Sequence, residues 1–134
     1  MVLGGGGVRL ILYGSKADKA AFTEMLAAVP ELCYRHIRIE DYSNRDSFLK
    51  GLSGSPPDSV VVAMNGADGM EGVIATKTLC RDIPVLWFSD DGGFGAQSYR
   101  LGCAYFHQKP ISPQILSAAL AKCIKQSICK GEIK

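Results

Sequence analysis

The sequence predicts an α/β fold, a doubly wound five-stranded parallel sheet in (βα)5 order with helices on both faces. Three observations predict it. Short apolar runs rich in branched residues alternate five times with segments of helical period, and such alternation calls for parallel strands joined by right-handed crossovers. The middle run, Asp58–Met64, is almost continuously apolar after its first two residues, as a strand covered on both faces by helices must be. A length of 134 residues with 47% hydrophobic and 21% charged side chains suits one globular domain and excludes a largely disordered or low-complexity chain.

The glycines of residues 1–7 precede any periodic segment, so this stretch reads as a flexible leader and not as a phosphate loop, which must follow a strand and open a helix. Val8–Tyr13 is the first strand, ended by Gly14. Ser15 and Asp18 have the spacing of a capping box, and Ala21, Phe22, Met25, Leu26 and Val29 then recur at helical spacing up to Pro30. Within Cys33–Glu40, Ile37 and Ile39 alternate with Arg38 and Glu40, the pattern of a strand near an edge. Ser43 or Asn44 caps a short helix carrying Phe48, Leu49 and Leu52, closed by Gly51 or Gly54 before Pro56-Pro57.

After the central strand, Asn65–Gly69 reads as a polar loop, and Met70, Val73, Ile74, Lys77 and Leu79 predict a helix ending near Arg81-Asp82. Pro84–Ser89 is a second buried strand, followed by a mobile connector at Asp90–Gly93. A helix through Ala96–Leu101 stops at Gly102, and Ala104–Phe106 forms a short fifth strand. Ser112 caps a final helix with Ile115, Leu116, Ala119, Leu120, Cys123 and Ile124 along one face. The domain therefore spans 8–128, and 129–134 is a basic tail.

Fifteen basic against thirteen acidic residues give a net charge of +2, too little for the electrostatic footprint of a dedicated nucleic-acid binder. No apolar run approaches a membrane span or a signal-peptide core, so a cytoplasmic protein is expected. The five cysteines lack any C-x-x-C pair, and Cys123 and Cys129, six apart on a helix, lie on different faces, so neither disulfides nor a metal site is expected. An open parallel sheet places its chemistry at the carboxyl ends of its strands, here Tyr13-Gly14, Met64-Asn65, Ser89-Asp90 and Phe106–Pro110. His36 and His107 cannot be tied to a Ser or Cys nucleophile, and no nucleophile elbow, P-loop or dinucleotide fingerprint occurs. No cofactor is implied.

At Tyr99–Ser112 (Tyr-Arg-Leu-Gly-Cys-Ala-Tyr-Phe-His-Gln-Lys-Pro-Ile-Ser) the chain resembles the closing segment of CheY-like receiver domains of two-component response regulators, and Ile83–Ser89 resembles their fourth strand. The segment Phe94–Gly102 looks closest to receivers that precede LytTR-type DNA-binding domains. The resemblance makes Ser89 the hydroxyl that bonds the phosphoryl group, Lys109 its lysine partner, Phe106 the aromatic switch position, and Lys109–Pro110 a cis bond. It also shows a departure. A receiver places an acceptor carboxylate at the end of its third strand and two more after its first, because Mg²⁺ wants hard oxygen ligands and the acceptor must be nucleophilic.

Here the first site holds Tyr13 and Gly14. Counting back from Gly72 puts the acceptor position at Met64, and counting forward from Asp58 puts it at Ala63; no Asp or Glu occurs from Ser59 to Ala67. Asp68, Asp90 and Asp91 are the acids left to regroup nearby. Lys109 then needs another partner, for which Asp90, Asp91, a backbone carbonyl or a bound anion would serve, and the pocket is either closed by Met64 and Tyr13 or takes a small anion at Lys109 and Ser89. The expected function is a pseudo-receiver, acting through protein contacts without phosphotransfer. Its resemblance implies a homodimer through the fourth helix, fifth strand and fifth helix, with Tyr99, Arg100, Tyr105, His107 and Lys122 as candidate contacts. The alternatives are the receiver part of a transcription regulator whose DNA-binding domain is absent from this chain, and a small α/β enzyme.

Overall fold

In a computed structural model of the protein, the structure describes residues 8–28 and 37–132, with side chains as far as Lys122. The glycine leader, Val29, Pro30, Cys33, His36 and the side chains of Cys123, Ile124 and Cys129 lie outside the described residues. The elements are β1 (Val8–Tyr13), α1 (Lys16–Ala27), β2 (Ile37–Tyr42), α2 (Arg45–Ser53), β3 (Ser59–Val62), α3 (Gly66–Leu79), β4 (Val85–Ser89), α4 (Gly95–Arg100), β5 (Tyr105–Gln108) and α5 (Pro113–Glu132). The five strands form one parallel sheet in the order β2-β1-β3-β4-β5. This is the doubly wound (βα)5 architecture that the sequence predicts.

Strand alternation divides the core into two layers. Leu10, Leu12, Val61, Leu86 and Phe88 face α1 and α5, meeting Phe22, Leu116, Ala119 and Leu120. Ile11, Tyr13, Val60, Val62, Val85 and Trp87 face the other way, onto Phe48, Leu52 and Val73 of α2 and α3. Every residue of β3 and β4 is buried, so these strands read as continuous apolar runs. Edge strands β2 and β5 have one strand neighbour each, and polar residues are tolerated there.

Edge position explains where the sequence boundaries err. β2 runs on through Asp41 and Tyr42, paired with Leu12 and Tyr13. β5 starts at Tyr105 and continues through His107 and Gln108, paired with Phe88 and Ser89. β3 stops at Val62, before Ala63 and Met64. The expected Asn65–Gly69 loop is instead the first turn of α3 after Asn65, with Asp68 near its positive end, and that helix ends at Leu79. The connector at Asp90–Gly93 is also structured: Gly92–Phe94 makes one 3-10 turn, and the Asp91 carboxylate accepts from the Gly93 N–H at 2.8 Å.

Caps fall largely where expected. Ser15 and Asp18 form the capping box of α1, Asn44 accepts from the Ser47 N–H to cap α2, and Ser112 Oγ accepts from the Ile115 N–H at the start of α5. Gly51 lies inside α2, and Gly54 is its C-cap. Gly102 follows α4 at φ +73°, a conformation costly for any residue with a Cβ. α5 continues through residues 129–132 of the segment expected as a tail. Among the described residues no helix is long and apolar enough to cross a membrane.

Candidate functional site

At the carboxyl edge of the sheet the organising group is the Lys109 ammonium. Lys109 follows β5, whose ladder extends one step when the Lys109 N–H donates to the Ser89 carbonyl at 2.7 Å. The Lys109–Pro110 bond is cis, as the resemblance implied. The side chain reaches across the ends of β4 and β3, where Nζ donates to Asp18 Oδ1 at 2.8 Å, the Ala63 carbonyl at 2.6 Å and Asn65 Oδ1 at 2.8 Å. An ammonium has three N–H donors. All three are used.

Of the partners expected for Lys109, the backbone carbonyl is correct and Asp90 and Asp91 are not. The acid comes from α1. Ser15 ends the β1–α1 turn in an extended conformation, its hydroxyl accepts from the Asp18 N–H at 3.1 Å, and its N–H donates to Asp18 Oδ2 at 2.9 Å. That box fixes the carboxylate, leaving Oδ1 turned to Lys109. The two side chains are 20% and 21% exposed, so the ion pair is shielded from solvent screening far more than a surface pair. Burial pushes the Asp18 carboxyl upward as the largest single influence, but the hydrogen bonds from Lys109 and Ser15 together outweigh it and hold the carboxyl below its ordinary value.

Ser89 is fully buried at the end of β4. Its hydroxyl accepts from the Asp91 N–H at 3.1 Å and lies 3.4 Å from Asp90 Oδ1. Asp90 Oδ1 also accepts from the Gly66 N–H at 3.3 Å, tying the β4 end to the start of α3. Ser89 and Lys109 are thus joined through the backbone, while their side chains hold different partners. Asp68, Asp90 and Asp91 do not regroup: no cluster of three metal-ligating side chains exists among the described residues.

Tyr13 does not close the pocket. As the last residue of β1 it faces the α2–α3 layer, where its ring stacks on Phe48 at 4.3 Å and 4° and lies against Gly72. Burial, with Asp68 nearby, pushes its hydroxyl pKa upward. Met64 packs against the same layer. Gly14 abuts Asp18 and Ala63. Phe106 turns its ring edge to Trp87 at 5.4 Å and 84°, and Phe94 stacks on Trp87 from 5.2 Å.

Of the proposed contact residues, Tyr99 on α4 is 88% exposed, and Arg100 beside it is exposed. Lys122 on α5 lies over the Tyr105 ring, 5.4 Å from its centre, within range of a cation–π contact. His107 Nδ1 lies 2.6 Å from the Gln108 carbonyl, which can only accept, so the ring donates there. Of these residues, Tyr105 and Lys122 are in contact with each other. Sequence reasoning missed Asp18 and, although it named the Met64-Asn65 strand end, gave Asn65 no role. The Asp18 capping spacing was visible, but its bond to a residue 91 positions away has no local signal.

Neither a family model nor a curated protein matches the sequence. Solved structures do match. One is the signal receiver domain of a protein described as a Luxo repressor from Vibrio parahaemolyticus, with a TM-score of 0.76 at 14% identity, covering 96% of this chain and 98% of that one. A CheY-like response regulator receiver domain from Methanospirillum hungatei JF-1 gives 0.72 at 13% identity over 90% and 97%. The receiver domain of a sensor histidine kinase from Pseudomonas aeruginosa PAO1, which has a magnesium ion coordinated in its active-site cleft, gives 0.69 at 13% identity over 89% and 98%. From the strand order β2-β1-β3-β4-β5 to the cis Lys109–Pro110 bond, this chain carries the CheY-like receiver fold of response regulators.

Proposed function

We propose that this receiver-like domain signals through protein contacts and does not pass through an aspartyl phosphate. The observation that carries this reading is the saturated Lys109 ammonium, whose three donors go to Asp18, Ala63 and Asn65. In the resembling domains that lysine pairs with the phosphoryl group, and here an internal carboxylate holds its place. The reading is supported by the residues at the other positions: Tyr13 and Gly14 after the first strand, and Ala63 and Met64 after the third, none able to accept phosphate or ligate Mg²⁺ through its side chain as a carboxylate does.

The output surface is the side formed by α4, β5 and α5, with Tyr99, Arg100, Tyr105, His107 and Lys122, and the partner is a second copy of the chain or another signalling protein. Exposed tyrosine and arginine suit such an interface, since both are enriched where proteins meet. Light scattering on the purified chain, with and without acetyl phosphate and Mg²⁺, tests the proposal. A dimer mass at high concentration, unchanged by the phosphodonor, is expected. A monomer that pairs only when the phosphodonor is present would overturn the phosphate-independent reading, and a monomer under both conditions would overturn self-association.

A further inference from the structure

A cleft of about 520 Å³ opens beside the Asp18–Lys109 pair, between α1 and the β5–α5 connection. Its walls are apolar: Ala21, Phe22 and Met25 from α1, Phe88 from β4, and Ile111 beyond the cis proline. Asp18, Lys109 and Glu24 are its charged lining residues, with Ala63 and Pro110 also on its wall. Small-molecule sites have this character, about 300–1,000 Å³ of mostly apolar wall with a few convergent polar groups.

We propose that this cleft binds a small amphiphilic cation, an organic ammonium on an aryl or branched alkyl body. The charge is argued from the bonds already made. An anion would need donors, but the Lys109 donors are committed to Asp18, Ala63 and Asn65. At the α1 start the Ser15 N–H and hydroxyl both turn to Asp18 Oδ2, each at 2.9 Å. The lining carries two carboxylates, Asp18 and Glu24, against one ammonium, and an incoming carboxylate or phosphate would face a net negative wall. A cation finds acceptors instead. Glu24 is exposed and ready to pair, and Asp18 Oδ1, which accepts only from Lys109, keeps one lone-pair site free while both sites of Oδ2 go to Ser15.

The apolar body supplies the rest, since Met25 and Ile111 are only half-buried and would be covered by a ligand. Met side chains adapt readily to irregular ligand shapes. Such a ligand would act on the domain through the contact it bridges, α1 to the β5–α5 connection, in place of a covalent signal. The proposal stands apart from the protein-contact reading, because the cleft can fill whether or not the chain pairs.

The test uses the full chain and three matched probes, phenethylammonium, 3-phenylpropionate and 2-phenylethanol, with the methyl NMR signals of Met25 and Ile111 as the readout. Saturable shifts with the ammonium, at least about tenfold tighter than with the carboxylate or the alcohol, are expected. Ala21→Trp, on an exposed position, should fill the cleft and abolish those shifts while leaving the remaining spectrum folded, and Glu24→Gln should narrow the preference for the cation. Equal binding of the three probes, tighter binding of the carboxylate, or no saturable shift with any of them would overturn the proposal.

Discussion

Asp18 illustrates how one side chain can answer two demands. Its carboxylate closes the capping box with Ser15 through Oδ2 and neutralises Lys109 through Oδ1. Without it, a largely buried ammonium would keep two neutral acceptors and no counter-charge, an arrangement costing several times more than losing an exposed pair. Because the folded-state pKa of Asp18 lies below its ordinary value, the pair stabilises the fold fully above the unfolded carboxylate range. That stability is lost as pH falls through the folded value. Glu40, held down chiefly by its hydrogen bond from Arg9, titrates in the same direction. Asp18→Asn should therefore cost roughly 1–2 kcal/mol at pH 7 and markedly less at pH 3, as read from urea midpoints of the two proteins at each pH. An equal loss at both values would show that the charge contributes nothing.

Among the elements, α3 is held against the sheet by what its glycines lack. A Cβ on Gly69 would collide with the Met64 carbonyl oxygen and stand 3.3 Å from Trp87 Nε1, and the first of these neighbours is backbone that cannot swing away. Gly69→Ala pits helix propensity, a gain of about 1 kcal/mol, against overpacking, a loss of about 1–3 kcal/mol. The clash should win, with a lower melting temperature and displaced amide signals along the first turn of α3. A neutral or stabilising result would mean that α3 sits less tightly on β3 than described.

The same turn shows why part of the fold was not legible in sequence. Two glycines and an aspartate within Asn65–Gly69 read as a loop, because local propensity cannot register that Gly69 lacks a side chain to let α3 approach the Met64 backbone, or that Gly66 starts the helix at φ +62°. The buried strands were legible for the converse reason: Val60, Val61, Val62 and Val85–Phe88 are covered on both faces, so burial is written into every residue. Edge strands β2 and β5 were located but misjudged in length, since one solvated side admits Asp41, His107 and Gln108. At the site, Ser89, Phe106 and Lys109 were named from the resemblance of their segments to receiver domains, whereas the partners of Lys109 come from α1 and the β3–α3 connection and are fixed only by tertiary packing.

For the whole molecule, the two-layered core and the parallel sheet are those of a receiver, while the charged centre is self-contained. The carboxyl edge is cross-tied by Lys109 to α1 and the end of β3, and by Asp90 to the start of α3. Entry of Mg²⁺ and a phosphoryl group would have to displace Asp18 or Asn65 from Lys109 and supply carboxylates that positions 13, 14, 63 and 64 do not have. A ligand can shift a conformational equilibrium only by its differential affinity for the states, so under the proposed phosphate-independent reading a phosphoryl group would leave this domain unmoved. The most direct measurement is amide NMR of the chain during titration with Mg²⁺ and beryllofluoride, a mimic of the acyl phosphate. Unchanged signals at Ser89, Phe106 and Lys109 are predicted; saturable, Mg²⁺-dependent shifts at those residues would contradict the account.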